Sequence, residues 1–255
     1  MKLSTKYSPQ QIRELKGWMT EEDKRRFADA LESKTHEDLW RIIREPVADW
    51  ERGPMYWFTG GFTKTEDSHA LAKGTPFKTP FPKKEMYRIA TQYFLAERVL
   101  LVPKSREIGA SWLFCALVTW YAVFHNAFWI VQSGKQSKSE ELISYCRILY
   151  SNQEAFLQKR NPVTTDNSLE LRFQNGGRIL GVAAGVDQVR TFHPFGVLFD
   201  EAAFIEGFAE SFDAVSPVAK KIVALSTDEL GPFHNLCKLN EGDSLHNGGS
   251  SDANV

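Results

Sequence analysis

The 255-residue chain is 42% apolar, 25% charged and 13% aromatic, with a formal net charge of −1. This composition fills a sizeable globular core and excludes a disordered or collagen-like chain. Near-neutrality also excludes coating of nucleic acid by bulk charge, though not local basic patches.

Met1 to Glu14 is polar and lacks the apolar run of a signal peptide. Residues 8–45 read as short polar helices. Thr20, followed by Glu21, Glu22 and Asp23, supplies a capping hydroxyl and first-turn acids. Pro46 closes this region. Residues 46–84 gather Gly53-Pro54, Gly60-Gly61, Gly74, Pro76, Pro80 and Pro82, which predicts an irregular, aromatic-rich segment packed on a neighbour. Glu85 to Glu97 reads as a helix and Val99 to Val102 as a short buried strand. Trp112 to Phe124 is almost wholly apolar but falls short of the ~20 residues a membrane span needs, so a helix buried against a sheet is expected.

Phe128 to Val131 reads as a second buried strand and Lys135 to Leu157 as one long amphipathic helix. Leu169 to Phe173 and Arg178 to Val182, split by Asn175-Gly176-Gly177, predict a hairpin. Gly196 to Phe199 is a third buried strand ending in Asp200-Glu201. A helix around 206–219 leads to a fourth, Ile222 to Leu225. Asn240 to Val255 is rich in Gly, Ser and Asn and reads as a flexible tail or linker. Wholly apolar strands alternating with helices predict a mostly parallel α/β sheet covered on both faces, with ligands at the strands' carboxyl ends.

Three strands end in chemically capable residues. After the first comes Lys104-Ser105-Arg106-Glu107-Ile108-Gly109-Ala110-Ser111. A phosphate loop needs backbone N–H groups, a helix N-terminus, an ammonium and a hydroxyl for Mg²⁺. Here Ala110 stands where GxxxxGK[ST] has lysine, and Lys104 is displaced to the start of the loop. The segment reads either as a phosphate loop with a displaced lysine or as an ordinary turn with a basic residue. Val197 to Glu201 is a strand delivering two carboxylates, Asp200 for hydrated Mg²⁺ and Glu201 for an attacking water; the alternative is a pair of solvent-facing acids. Ser226-Thr227 either senses a γ-phosphate or caps a turn. Arg190 either stabilises transition-state charge, in cis or in a neighbouring subunit, or pairs on the surface.

Other chemistries find no support. His36, His69, His125, His193, His234 and His246 show no metal-ligand spacing, and Cys115, Cys146 and Cys237 contain no CxxC pair, which suits reduced thiols. Trp112, Trp120 and Trp129 sit in core-like runs, and a GxSxG elbow is absent.

Taken together, KSREIGAS, VLFDEAAF and STDELGPF, with VQSGKQSKSEEL and NGGRILGVAAGVDQVRTFHP between them, resemble the ATPase domain of large terminase subunits, the DNA-packaging motors of tailed bacteriophages. The resemblance spans roughly residues 55–238, and the displaced lysine is a variant found in that family. It implies a RecA-like ASCE fold, with residues 1–50 as a helical appendage, 51–239 as the ATPase domain and 240–255 as the tail. Carried onto matching positions, Lys104 and Arg106 hold the phosphates of ATP, within a loop running from Lys104 to Ser111. Ser111 and Asp200 hold Mg²⁺, Glu201 activates water, Ser226 and Thr227 couple hydrolysis to movement, and Arg190 is the finger reaching into the neighbouring subunit's site. The family's adenine-contacting glutamine is replaced in the equivalent region by Pro82-Lys83-Lys84-Glu85-Met86-Tyr87.

The implied partners are double-stranded DNA, a portal protein and a small terminase subunit. A homo-oligomeric ring is implied when assembled, a slow monomer in isolation, and no membrane. The implied location is the host cytoplasm, transiently on the procapsid. Past Thr227 the acids are Asp228, Glu229, Glu241, Asp243 and Asp252, from which no nuclease activity is expected. Rival readings are another ASCE motor such as a helicase, and a non-catalytic adaptor or pseudo-ATPase, for which Ala110 is the best argument.

Overall fold

The computed structural model describes residues 35–66, 78–105, 108–227 and 230–246. The Thr20 helix start, Gly74, Pro76, Arg106, Glu107 and the end of the chain beyond His246 lie outside these residues. The chain begins with helix α1 (His36–Arg44) and helix α2 (Gly53–Thr59), then the paired short strands β1 (Lys64–Glu66) and β2 (Lys78–Pro80). Helix α3 (Glu85–Ala96), strand β3 (Val99–Pro103), helix α4 (Ala110–His125), strand β4 (Phe128–Gln132) and helices α5 (Gln136–Ser151) and α6 (Ala155–Arg160) follow. Strands β5 (Val163–Asn167), β6 (Glu170–Phe173) and β7 (Arg178–Val182) precede the single turn of helix α7 (Asp187–Arg190). Strand β8 (Gly196–Asp200), a 3-10 turn (Ala202–Phe204), helix α8 (Phe208–Val215), strand β9 (Lys221–Ser226) and helix α9 (Pro232–His246) complete the order.

Seven strands form one sheet in the order β3-β9-β8-β4-β7-β6-β5. The run from β3 to β7 is parallel, and β6 and β5 add antiparallel to its end. One strand, β9, separates β3 from the acid-bearing β8, in keeping with the RecA-like fold that the resemblance implies.

Alternation along each strand divides the interior into two cores. Trp129, Val131, Leu198, Val223 and Leu225 face α4 and α5. Ile130, Val197, Phe199, Ile222 and Ala224 face the opposite layer, with Phe208, Val215 and Phe233. Helix α4 is apolar all round, with twelve buried residues among its 16, because it is wedged between the sheet and α2 and α5. Among the described residues no helix is long and apolar enough to cross a membrane.

Several expectations need correction. Helix α1 is not polar all round: Leu39, Trp40 and Ile43 are buried in the principal core, and Trp120 Nε1 donates to the Ile43 carbonyl at 2.7 Å. Burying three such side chains stabilises by about 1.5–3 kcal/mol each. The segment 46–84 holds a helix and a strand pair; Pro54 in the first turn of α2 removes a donor that a helix start leaves unpaired anyway. The single helix 135–157 is two. Asn152 closes α5 by donating from Nδ2 to the Ile148 carbonyl at 2.8 Å, and Gln153 turns inward to donate to Thr63 Oγ1 at 3.1 Å. Strand β5 has no counterpart among the expected elements, because polar Thr164, Thr165 and Asp166 on an edge strand give no apolar run. Strand β3 is half-buried, since it lies at the other edge of the sheet. The helix expected over 206–219 is confined to Phe208–Val215. Helix α9 runs into the expected tail as far as His246.

Gly196 opens β8 directly opposite Trp129, and a Cβ there would lie 2.6 Å from two ring atoms of the indole. Gly196→Ala is expected to lower unfolding free energy by about 1–3 kcal/mol through overpacking, measured by urea denaturation. An unchanged midpoint would show that the indole repacks freely.

Candidate functional site

The parallel register aligns three strand ends. Pro103 of β3 lies opposite Ser226 of β9, and Leu225 lies opposite Asp200 of β8. The residues that follow, Lys104, Thr227 and Glu201, therefore leave one rim of the sheet together. The Lys104 N–H donates to the Ser226 carbonyl at 2.8 Å, so the loop starts from a fixed point.

Gly109 ends that loop with φ 80° and ψ 21°, a left-handed conformation that glycine adopts without steric cost, and α4 begins at Ala110. Ser111 in the first turn donates from Oγ to Asp200 Oδ1 at 3.0 Å. Strand alternation explains the contact. Leu198 packs on the α4 side, so Asp200, two residues on, meets the helix bearing Ser111.

Glu201 is exposed and has φ 55° and ψ 47°. A non-glycine residue held left-handed costs of order 1–3 kcal/mol and marks an over-determined turn. The Phe204 N–H donates to the Glu201 carbonyl at 2.9 Å, and the Ala203 N–H donates to Ser226 Oγ at 3.1 Å. Ser226, fully buried, thus ties β9 to the turn after Glu201. The Thr227 hydroxyl is enclosed without a hydrogen-bond partner among the described residues; such a group costs about 1–3 kcal/mol.

Two groups that sequence reasoning does not mark border the site. Lys138 on α5 pairs with Glu141 at 2.9 Å, and Glu141 accepts from Tyr145 Oη at 2.6 Å. Tyr145 stacks on Trp112, next to Ser111, at 4.1 Å between centroids. The hydrogen bond to Glu141 holds the Lys138 ammonium above its ordinary pKa, with smaller contributions from Glu201 and Asp200, which places its charge near both carboxylates. Beneath the loop, Lys84 Nζ and Tyr87 Oη donate to the Ile108 carbonyl at 3.1 and 2.9 Å. Their partner lies 24 and 21 residues further along the chain, so no local pattern marks them.

The structure brings together Lys104, Ser111, Asp200 and Ser226, with Glu201 and Thr227 one residue beyond. It does not bring Arg190 to them. Val189 beside it is anchored in the core on the opposite face of the sheet from Asp200, and Arg190 itself is exposed.

Burial pushes the Asp200 carboxyl above its ordinary range, against the lowering influence of the Lys104 charge and the Ser111 hydrogen bond. A folded-state pKa above the unfolded one stabilises below the ordinary carboxylate pKa, and that stabilisation is lost as pH rises through the raised value. At neutral pH the ionised Asp200 is therefore a cost to folding. Asp200→Asn keeps an acceptor for Ser111 and removes the charge. Its thermal midpoint at pH 7.5 should equal or exceed that of wild type, with the difference vanishing below about pH 4; a lower midpoint at pH 7.5 would contradict the electrostatic account.

No family model and no curated protein sequence matches the chain. Among solved structures, the large terminase of bacteriophage HK97 superposes with a TM-score of 0.56 at 10% identity, over 78% of this chain and 44% of that one. The large terminase ATPase domain of Thermus phage P74-26 gives a TM-score of 0.48 at 15% identity, over 68% and 73%. A large terminase from a thermophilic bacteriophage, in complex with ADP, gives 0.41 at 13%, over 58% and 39%. The chain thus spans less than half of the HK97 protein. Over that span, it has the fold of a bacteriophage large terminase.

Proposed function

We propose that this chain is the ATPase motor domain of a viral large terminase subunit, coupling Mg²⁺-ATP hydrolysis to translocation of double-stranded DNA into a procapsid. The observation that carries this reading is the 3.0 Å contact of Ser111 Oγ with buried Asp200, at the rim where Glu201 is held left-handed.

The residues fit Mg²⁺. A hydroxyl and a carboxylate are hard oxygen donors, and Mg²⁺ on a nucleotide keeps several waters, so it needs few protein ligands. No cluster of three His, Cys, Asp or Glu side chains that could cage a metal occurs among the described residues. Asp200, whose charge burial disfavours, would gain a compensating cation. When bound, the ion would neutralise charge on the β- and γ-phosphates.

The chain's own groups divide the remaining work. N–H groups at the start of α4 and the Lys104 ammonium would cradle phosphates, with Arg106 from the same loop. Glu201, exposed beside Asp200, would orient and deprotonate the water attacking in line. Ser226 joins β9 to the Glu201 turn, and the Thr227 hydroxyl, without a partner among the described residues, would register a changed phosphate. Together they would transmit hydrolysis to movement. Arg190, on the far face in its own subunit, would act in a neighbour's site within a ring. DNA, a portal protein and a small terminase subunit are the partners this role requires.

Mg²⁺-dependent phosphate release at high protein concentration tests the reading. Glu201→Gln should bind ATP yet lower kcat by about 100-fold or more, and Lys104→Ala should lose ATP binding. Turnover by Glu201→Gln at the wild-type rate, or ATP binding without turnover by wild type in assembled rings, would overturn it, the second outcome favouring a pseudo-ATPase. Separately, Arg190→Ala should lower kcat by about 10³-fold, and mixing it with Glu201→Gln should restore turnover. A mixture as inactive as its components would rule out action in trans.

A further inference from the structure

The mechanism above does not use Lys84 or Tyr87, yet both end on the backbone of the loop. Tyr87 is 2% exposed, and its ring packs against Phe81 at 5.8 Å between centroids. Its hydroxyl donates to the Ile108 carbonyl at 2.9 Å and also lies 3.3 Å from the Gly109 carbonyl. Burial pushes the phenol up to about 12, so it remains a donor across the physiological range. Lys84, the residue before α3, sends its ammonium to the same Ile108 carbonyl at 3.1 Å and lies 5.1 Å from the centre of the Tyr87 ring.

Two donors on one carbonyl oxygen occupy both of its lone pairs. A trans peptide is planar, with its C=O and N–H pointing in opposite directions. Tying the Ile108 oxygen down onto α3 therefore turns the Gly109 N–H outward, away from Lys84 and Tyr87. That N–H sits at the start of α4, where the phosphates are placed. Gly109 is held twice over: its φ is left-handed, and a Cβ would lie 2.3 Å from the Tyr87 hydroxyl oxygen.

We propose that Lys84 and Tyr87 are positioning residues for the nucleotide site, a brace that locks the Ile108–Gly109 peptide with its N–H toward the phosphates. The proposal rests on the nucleotide reading above and deepens it. A flexible loop would have to fix this peptide at the moment of binding; the brace removes that ordering cost beforehand.

The test is the equilibrium Kd for MgADP of wild type, Tyr87→Phe, Lys84→Arg and the double variant Lys84→Met/Tyr87→Phe, with the thermal midpoint of each nucleotide-free protein. Tyr87→Phe keeps the ring packing and loses only the hydroxyl, and should weaken binding roughly 3–10-fold. The double variant should weaken it on the order of 30-fold or more, with little change in midpoint. Lys84→Arg retains a donor and should stay within about twofold of wild type. The Gly109 amide proton resonance should move on MgADP addition in wild type, and by less than half as much in the saturated double variant. A double variant that binds within twofold of wild type, or shows the full Gly109 shift, overturns the brace. So does an affinity loss that follows the midpoint in every variant, Lys84→Arg included. If wild type itself fails to bind MgADP, the nucleotide reading falls, and the brace falls with it.

Discussion

Parallel pairing of β9 with β3 on one side and β8 on the other is the constraint on which the candidate site depends. It stacks three strand ends in register, so that residues far apart in the chain leave the sheet from one rim. Alternation within β8 then decides direction. Because Leu198 packs toward α4, Asp200 meets Ser111, while Phe199 is sent into the other core. A one-residue slip of β8 would place Asp200 against α8 and leave Ser111 without its acceptor.

Local costs collect at this rim. Glu201 is left-handed, Asp200 is an ionisable group in a buried position, and the Thr227 hydroxyl is enclosed without a partner among the described residues. Each is tolerated because the surroundings are rigid. Phe94 and Trp129 stack at 5.8 Å between centroids, Tyr121 and Phe195 close around them, and the strands of both cores are densely apolar. A fold stabilised along the body of its sheet can hold strained, poorly solvated groups at one rim.

The two faces of the sheet separate the candidate residues as well as the cores. The α4 face carries Ser111, Asp200 and the Trp112–Tyr145–Glu141–Lys138 chain of contacts. The opposite face carries α7 with Arg190, anchored through Val189. The candidate rim and the segment bearing Arg190 therefore lie on different faces of the sheet.

Much of the fold is legible in the amino-acid order, because its signals are local. Apolar runs such as Phe128–Val131 and Gly196–Phe199 announce buried parallel strands, and Trp112–Phe124 announces a helix packed on all sides. Lys104, Ser111, Asp200, Glu201 and Ser226 stand out because each follows or ends such a strand or opens the helix after it. What depends on distant partners is not legible. Polar β5 is a strand only because β6 offers it hydrogen bonds, and the break between α5 and α6 follows from Gln153 turning in toward Thr63. The brace from Lys84 and Tyr87 to Ile108 leaves no periodicity to read. Amino-acid order alone settles which residue types end each strand, since period and composition are properties of neighbouring residues. That β9 lies between β3 and β8, that Asp200 faces Ser111 and that Arg190 lies on the other side are matters of three-dimensional packing, because sheet order and facing are set by contacts between segments far apart in the chain.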